Sequence, residues 1–127
     1  MNRPTLLIVG TGPGHPDLIT LRGRGAILEA DVIFATSNGD PVDPRFFEGT
    51  RPGCVVHDSS RLEVEEYYAL AVEAVRAGKN VVRLQPGDPS VFGTLAKQIR
   101  RFEREGIRVE VVPGVSAGLA AACALGQ

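Results

Sequence analysis

Two cysteines and two histidines are the only thiols and imidazoles that the 127 residues offer to a metal or a disulfide. Cys54 and Cys123 stand far apart, and neither shares a short ligand spacing with His15 or His57. No metal site is therefore expected, and two buried free thiols are the plainer reading than a disulfide. Charge of one sign is lacking too, since 14 basic residues stand against 15 acidic ones. A chain with so little field has no electrostatic means of gathering nucleic acid or an anionic membrane, and a small ligand suits it better. The longest apolar run, Val115 to Leu125, is broken by small residues and falls short of the roughly 20 that a bilayer requires. Without a signal peptide pattern, a soluble cytoplasmic protein is expected.

What the sequence does have is 43% hydrophobic composition, fifteen glycines and nine prolines. At this length one core is expected, so residues 1–127 read as a single domain. Thr5 to Val9 is a continuous β-branched and leucine run ending at glycine, which suits a strand covered on both faces. Leu18 to Glu29 reads as a helix with apolar residues at Leu18, Leu21 and Leu28 and with Ala26 and Ile27 between, and Asp31 to Phe34 as a second strand. From Ser37 to Gly53, Pro41, Pro44 and Pro52 with Gly39 and Gly49 make a loop, with a helical turn near Phe46 and Phe47. Cys54 to His57 forms a third strand. Ser60 and Glu63 have the spacing of a capping box at the head of a helix over about Arg61 to Ala77. Asn80 to Leu84 is a fourth strand, and Val91, Leu95, Ile99 and Phe102 mark one face of the next helix. Arg108 to Val112 is a fifth strand, and an alanine-rich helix follows. Alternating strands and helices predict an α/β fold with an open, mostly parallel five-stranded sheet and helices on both faces.

Ligands of such sheets bind beyond the carboxyl ends of the strands. Three glycine-proline segments fall there: Gly10 to Gly14, Pro86 to Pro89, and Pro113 to Gly114. Gly10-Thr11-Gly12-Pro13-Gly14 approaches the dinucleotide fingerprint, but His15 stands where its third glycine belongs, and Pro16 and Asp17 delay the helix. Asp31 precedes its strand instead of ending it, away from where a ribose would lie, and no Gly-Lys-Ser/Thr completes a P-loop. A glycine-rich structural turn remains open for this segment. Asp88 sits on a proline-stiffened turn, where it can meet a ligand ammonium or hydroxyl beside exposed amides near Gly87, or else Asp88 or Ser90 caps the following helix. Ser116 reads as a helix cap or a ligand donor. Ser59, Ser60, Ser90 and Ser116 lack a nearby histidine base, so nucleophilic serine chemistry has little support, and Tyr67 and Tyr68 read as packing residues.

Taken in series, Gly10-Thr11-Gly12-Pro13-Gly14, Ala30-Asp31-Val32-Ile33, Gly87-Asp88-Pro89 with Phe92-Gly93, and Val112-Pro113-Gly114-Val115-Ser116-Ala117 resemble the tetrapyrrole methylase family over essentially the whole chain. Ala96 to Arg101 is similar to the precorrin-4 C11-methyltransferase branch, and Pro86 replaces a second glycine usual in the uroporphyrinogen-III branch. The segment Thr36 to Gly39 differs from what either branch carries there.

The resemblance implies methyl transfer from S-adenosyl-L-methionine (SAM) to a carbon of a reduced tetrapyrrole. It places Pro13, Pro86, Gly87, Asp88, Val91, Ser116 and Ala117 on SAM, and the loop of Gly10, Gly12 and Gly14 toward the tetrapyrrole. It also implies a homodimer and a second, carboxyl-terminal α/β domain absent from this chain, with the SAM site between the two. It assigns no general base. Arg22, Arg24 and Arg45 are conceivable partners for substrate carboxylates, though surface solvation is the plainer explanation of each. Two other readings stay open, a small-molecule binding module without chemistry and a nicotinamide-dependent domain.

Overall fold

The computed structural model describes residues 4–36, 41–91 and 94–126. Among these residues five strands form a single sheet in which every strand pairing is parallel: β1 (Thr5–Gly10), β2 (Val32–Ala35), β3 (Val55–Asp58), β4 (Val81–Gln85) and β5 (Arg108–Val112). Their order is β3-β2-β4-β1-β5. Among the described residues four α-helices accompany them: α1 (Leu21–Glu29), α2 (Val64–Arg76), α3 (Leu95–Arg104) and α4 (Ala117–Ala124).

Alternation along each strand sends side chains to two separate cores. Leu6, Ile8, Val32, Phe34 and Val81 face α2 and α3, where they meet Tyr67, Tyr68, Ala71, Val75 and Phe102. Val9, Ile33, Ala35, Val82 and Leu84 face the other way onto Ile27 and Ala30 and onto Phe46 of a short 3-10 turn, Pro44–Phe47. The predicted two-faced sheet and the turn at Phe46 and Phe47 are therefore present, and Tyr67 and Tyr68 are buried packing residues. Phe102 stands edge-on to both tyrosine rings, at 6.0 and 5.3 Å.

Several expected boundaries move, each for a local reason. The first helix begins at Leu21 because Pro16–Leu18 closes its own 3-10 turn, after which the Thr20 hydroxyl accepts the Gly23 N–H as cap. Its buried face is Gly23 and Ile27, one turn apart, while Leu21 is 92% exposed. Gly23 is chosen by space: a Cβ there would lie 3.0 Å from both Val9 and Ile19 side chains. The second helix is capped by Glu63 and Glu66, each carboxylate answering the other's backbone N–H, instead of by Ser60 and Glu63. Ser60 belongs to a preceding 3-10 turn, Ser59–Arg61, and its N–H is taken by Asp58. The third helix starts at Leu95, so Val91 lies outside it. Cys54 is only half-buried and Cys123 is exposed, which corrects the expectation of two buried thiols; both are free.

The connections leaving β1 and β4, which are neighbours in the sheet, depart to opposite faces. α1 packs on one core and α3 on the other. That divergence opens a crevice at the carboxyl ends of the strands, at the topological switch point.

Candidate functional site

The loops after β1, β4 and β5 converge at this crevice and are bonded to one another. Thr11 N–H donates to the Gln85 carbonyl at 2.8 Å, and the Thr11 hydroxyl reaches the same oxygen at 3.2 Å. Gly12 and Gly87 then exchange both backbone bonds, Gly87 N–H to Gly12 oxygen at 2.7 Å and the reverse at 3.2 Å, as an isolated antiparallel bridge. Both glycines hold left-handed φ, 81° and 66°, a conformation that a side chain disfavours. The third loop is tied in by Asp88, whose Oδ2 accepts the Gly114 N–H at 3.2 Å.

Three glycines make this junction possible. A Cβ on Gly114 would lie 2.3 Å from the Gly87 oxygen and 2.9 Å from the Gly10 Cα. One on Gly10 would lie 2.6 Å from the same Gly87 oxygen. Gly10, Gly87 and Gly114 thus touch backbone to backbone, and three segments distant in sequence form one floor.

Asp88 has a second role in its own loop. Its Oδ1 accepts the Ser90 N–H at 2.8 Å and also the Ser90 hydroxyl. These bonds, the hydroxyl's first and then the two backbone N–H groups, hold the carboxyl below the ordinary aspartate range and keep it anionic. Neither Asp88 nor Ser90 caps a helix, since α3 begins at Leu95 with Thr94 as its N-cap residue; Asp88 closes its own turn instead, and its carboxylate borders the cleft. Ser116 stands at the N-cap of α4 but makes no cap bond with its side chain. Gly87 N–H, expected to be open to a ligand, is consumed by Gly12.

The cleft over this floor has a volume of about 430 Å³. All seven positions that the resemblance places on SAM line it: Pro13, Pro86, Gly87, Asp88, Val91, Ser116 and Ala117. Of the loop expected to face the tetrapyrrole, Gly12 lines the cleft, Gly10 is buried in the floor, and Gly14 is exposed away from it. Phe92-Gly93 and Ser37 to Gly39, which figured in the motif comparison, lie outside the described residues.

Thr36, Arg83, Gln85 and Thr94 also line the cleft, and none of them was expected from the sequence as a ligand-contacting residue. Arg83 had left a trace there, as the one charge in the apolar run Asn80 to Leu84. Of the arginines that were singled out, Arg24 donates to the Phe46 carbonyl at 2.7 Å and to the Glu48 carbonyl, and Arg45 pairs with Asp43 at 2.7 Å. Both serve the loop after β2, across the molecule's other core, and Arg22 is exposed. Asp31 lies at the opposite end of the strands, against Asn80 and Arg51, which removes the ribose partner that a dinucleotide site needs. Among the described residues no group of three histidines, cysteines or carboxylates is placed to hold a metal ion. Among them also, no helix is long and apolar enough to cross a membrane.

Comparison with known proteins agrees with this geometry. The chain is 42% identical to a cobalt-precorrin-4 C(11)-methyltransferase of Methanocaldococcus jannaschii over 98% of its own length and 47% of that protein. The crystal structure of a cobalt precorrin-4 methyltransferase of cobalamin biosynthesis superposes with a TM-score of 0.87 at 37% identity, over 94% of this chain and 49% of that one. A uroporphyrin-III C-methyltransferase from Thermus thermophilus, solved with S-adenosylhomocysteine, superposes with a TM-score of 0.75 at 35% identity, over 92% and 47%. The chain thus spans about half the length of the relatives it matches. The family model of the tetrapyrrole (corrin/porphyrin) methylases matches residues 5–127, and with a three-loop cleft at the switch point of a parallel sheet this chain belongs to that family.

Proposed function

We propose that this chain is the amino-terminal half of a SAM-dependent methyltransferase acting on a carbon of a reduced tetrapyrrole, with C11 of precorrin-4 in cobalamin biosynthesis as the target. One observation carries the reading: the seven residues assigned to the methyl donor, drawn from three separate loops, line a single cleft. The lining fits the donor's chemistry. Asp88 offers an anion to an ammonium or hydroxyl, Ser116 offers a hydroxyl not used for capping, and Pro13, Val91 and Ala117 offer apolar surface. When bound, the donor supplies an electrophilic methyl group on a sulfonium.

The chain's own contribution is positional. The contact of Gly10, Gly87 and Gly114 fixes the loops against each other, so donor and acceptor groups meet with their freedom already restricted. A second domain closing over the cleft would exclude water. Two facts support such a covering: α4, beside the cleft, buries none of its residues and leaves Leu119 70% exposed, and relatives are about twice as long. The same reading carries a homodimer and a cytoplasmic location. Pro86, where the uroporphyrinogen-III branch usually has glycine, favours the precorrin-4 substrate over that alternative.

Calorimetric titration of S-adenosylhomocysteine tests the proposal, with this chain alone and with the chain joined to the second half of its Methanocaldococcus jannaschii relative. The joined form is expected to bind, and Asp88→Ala to weaken binding at least tenfold. Absence of binding by both forms refutes the reading. Tight binding by this chain alone, without turnover in the joined form, identifies a binding module, and saturable NAD binding a nicotinamide domain.

A further inference from the structure

Arg83 is a cation without an answering charge. Its Nε is buried with no hydrogen-bond partner, and among the described residues no carboxylate pairs with its guanidinium. The group lies over the Tyr67 ring, 4.5 Å from the centroid. The acceptors around it are already engaged with each other. Tyr67 hydroxyl donates to Gln98 Oε1 at 2.8 Å, and Gln98 Nε2 donates to Gln85 Oε1 at 3.2 Å and to Thr94 Oγ1 at 3.1 Å. An aromatic face compensates the half-buried guanidinium in part, and the buried Nε is costly until an acceptor meets it. Burial lowers its pKa from the ordinary arginine value, yet a guanidinium stays charged at any physiological pH.

The surroundings show where that anion would lie. A second cavity, of about 240 Å³, adjoins the main cleft, and Arg83 and Thr94 line both. Lys97, from the exposed side of α3, lines the second cavity as well, and no aspartate or glutamate is among its lining residues. The nearby carboxylate of Glu65 is already paired with Arg101 at 2.7 Å. The cavity therefore has two cations, a hydroxyl edge from Ser59 and Thr94, and an aromatic wall.

We propose that this second cavity is a carboxylate pocket, in which Arg83 and Lys97 hold an acetate or propionate arm of the tetrapyrrole beside the donor cleft. Arginine's planar fork favours two-point contact with a carboxylate, and Lys97 adds a mobile point charge at the mouth. The proposal rests on the methyltransferase reading and adds to it the residues that recognise the substrate's acid arms.

Uroporphyrin, a tetrapyrrole with eight carboxylates, is the probe, followed by its fluorescence on titration with the chain alone and in the joined form. Arg83→Met is expected to weaken binding at least tenfold and Lys97→Gln about threefold, while Arg83→Lys restores part of the loss. Both charge removals should flatten the dependence of affinity on salt. Lys97 is solvent-facing, so its variant reports on the pocket even where Arg83→Met fails to fold. Unchanged uroporphyrin affinity in folded Arg83→Met, or in Lys97→Gln should the first not fold, overturns the proposal. So does a wild-type protein that binds S-adenosylhomocysteine but no uroporphyrin, and in that case the donor site survives. If neither compound binds, the methyltransferase reading falls and this proposal with it.

Discussion

Replacing Gly114 with alanine is the sharpest probe of the floor of the cleft. The new Cβ would stand 2.3 Å from the Gly87 oxygen and within 2.9 Å of two Gly10 backbone atoms. Non-bonded carbon contacts settle at about 3.5–4.0 Å, so relief requires the loops to part by roughly 1 Å. The obstructing atoms belong to backbone and cannot rotate away. Overpacking of this kind costs about 1–3 kcal/mol, and the rigid setting argues for the upper end, about 3 kcal/mol. For a domain of this size that lowers the melting temperature by roughly 10 °C. Parting the loops also stretches the bond from Gly114 N–H to Asp88, so S-adenosylhomocysteine affinity should fall about tenfold, or about 1.4 kcal/mol. Calorimetric melting and titration measure the two effects. A Gly114→Ala protein that melts within about 1 °C of the wild type and binds equally well would show that the three loops do not touch, and the account of the floor would be wrong.

Gly25→Ala should do the opposite, since Gly25 lies within α1 and a Cβ there meets nothing within 4 Å; a gain of about 0.5–1 kcal/mol is expected in the urea midpoint. Asp88→Asn should remove a pH dependence. Because the folded-state pKa of Asp88 lies below its unfolded value of about 3.9, its contribution is complete above that value and fades as pH falls through the lower, folded one. Wild-type and Asp88→Asn stabilities, compared by urea titration from pH 6 down to pH 3, should therefore converge toward the acid end. A constant difference would mean that the carboxylate's charge contributes nothing to the loop.

The sheet was legible because its strands are short apolar runs stopped by glycine or proline, and their separation by helical patterns left only a parallel arrangement. Strand order was not, since it depends on how crossovers pack. The cleft was legible through its turn residues: Pro13, Gly87 and Asp88 advertise special backbone geometry in the sequence itself. Thr36, Gln85 and Thr94 carry no such mark, and only folding brings them together. The capping box was misplaced because Ser60 and Glu63 satisfy the same spacing rule as Glu63 and Glu66, and the rule does not say which pair begins the helix. Leu21 misled for a related reason, since apolar spacing cannot reveal that a small residue, Gly23, is the one pressed against β1.

The position of β1 bears on how the chain is made. β1 lies between β4 and β5, so its edges find their partners only at Val81–Gln85 and Arg108–Val112. Of the five strands it is the first to be synthesised, and it must wait about 100 residues, or roughly 5–20 s at ordinary synthesis rates, before both edges are covered. During that interval Leu6, Ile8 and Val9, all fully buried in the finished protein, belong to a strand with two open edges. Every contact that seals them is long-range, which favours slow folding. The nascent chain is therefore most exposed to aggregation before its fourth strand appears, and a chaperone that shields the first ten residues would act where the need is greatest.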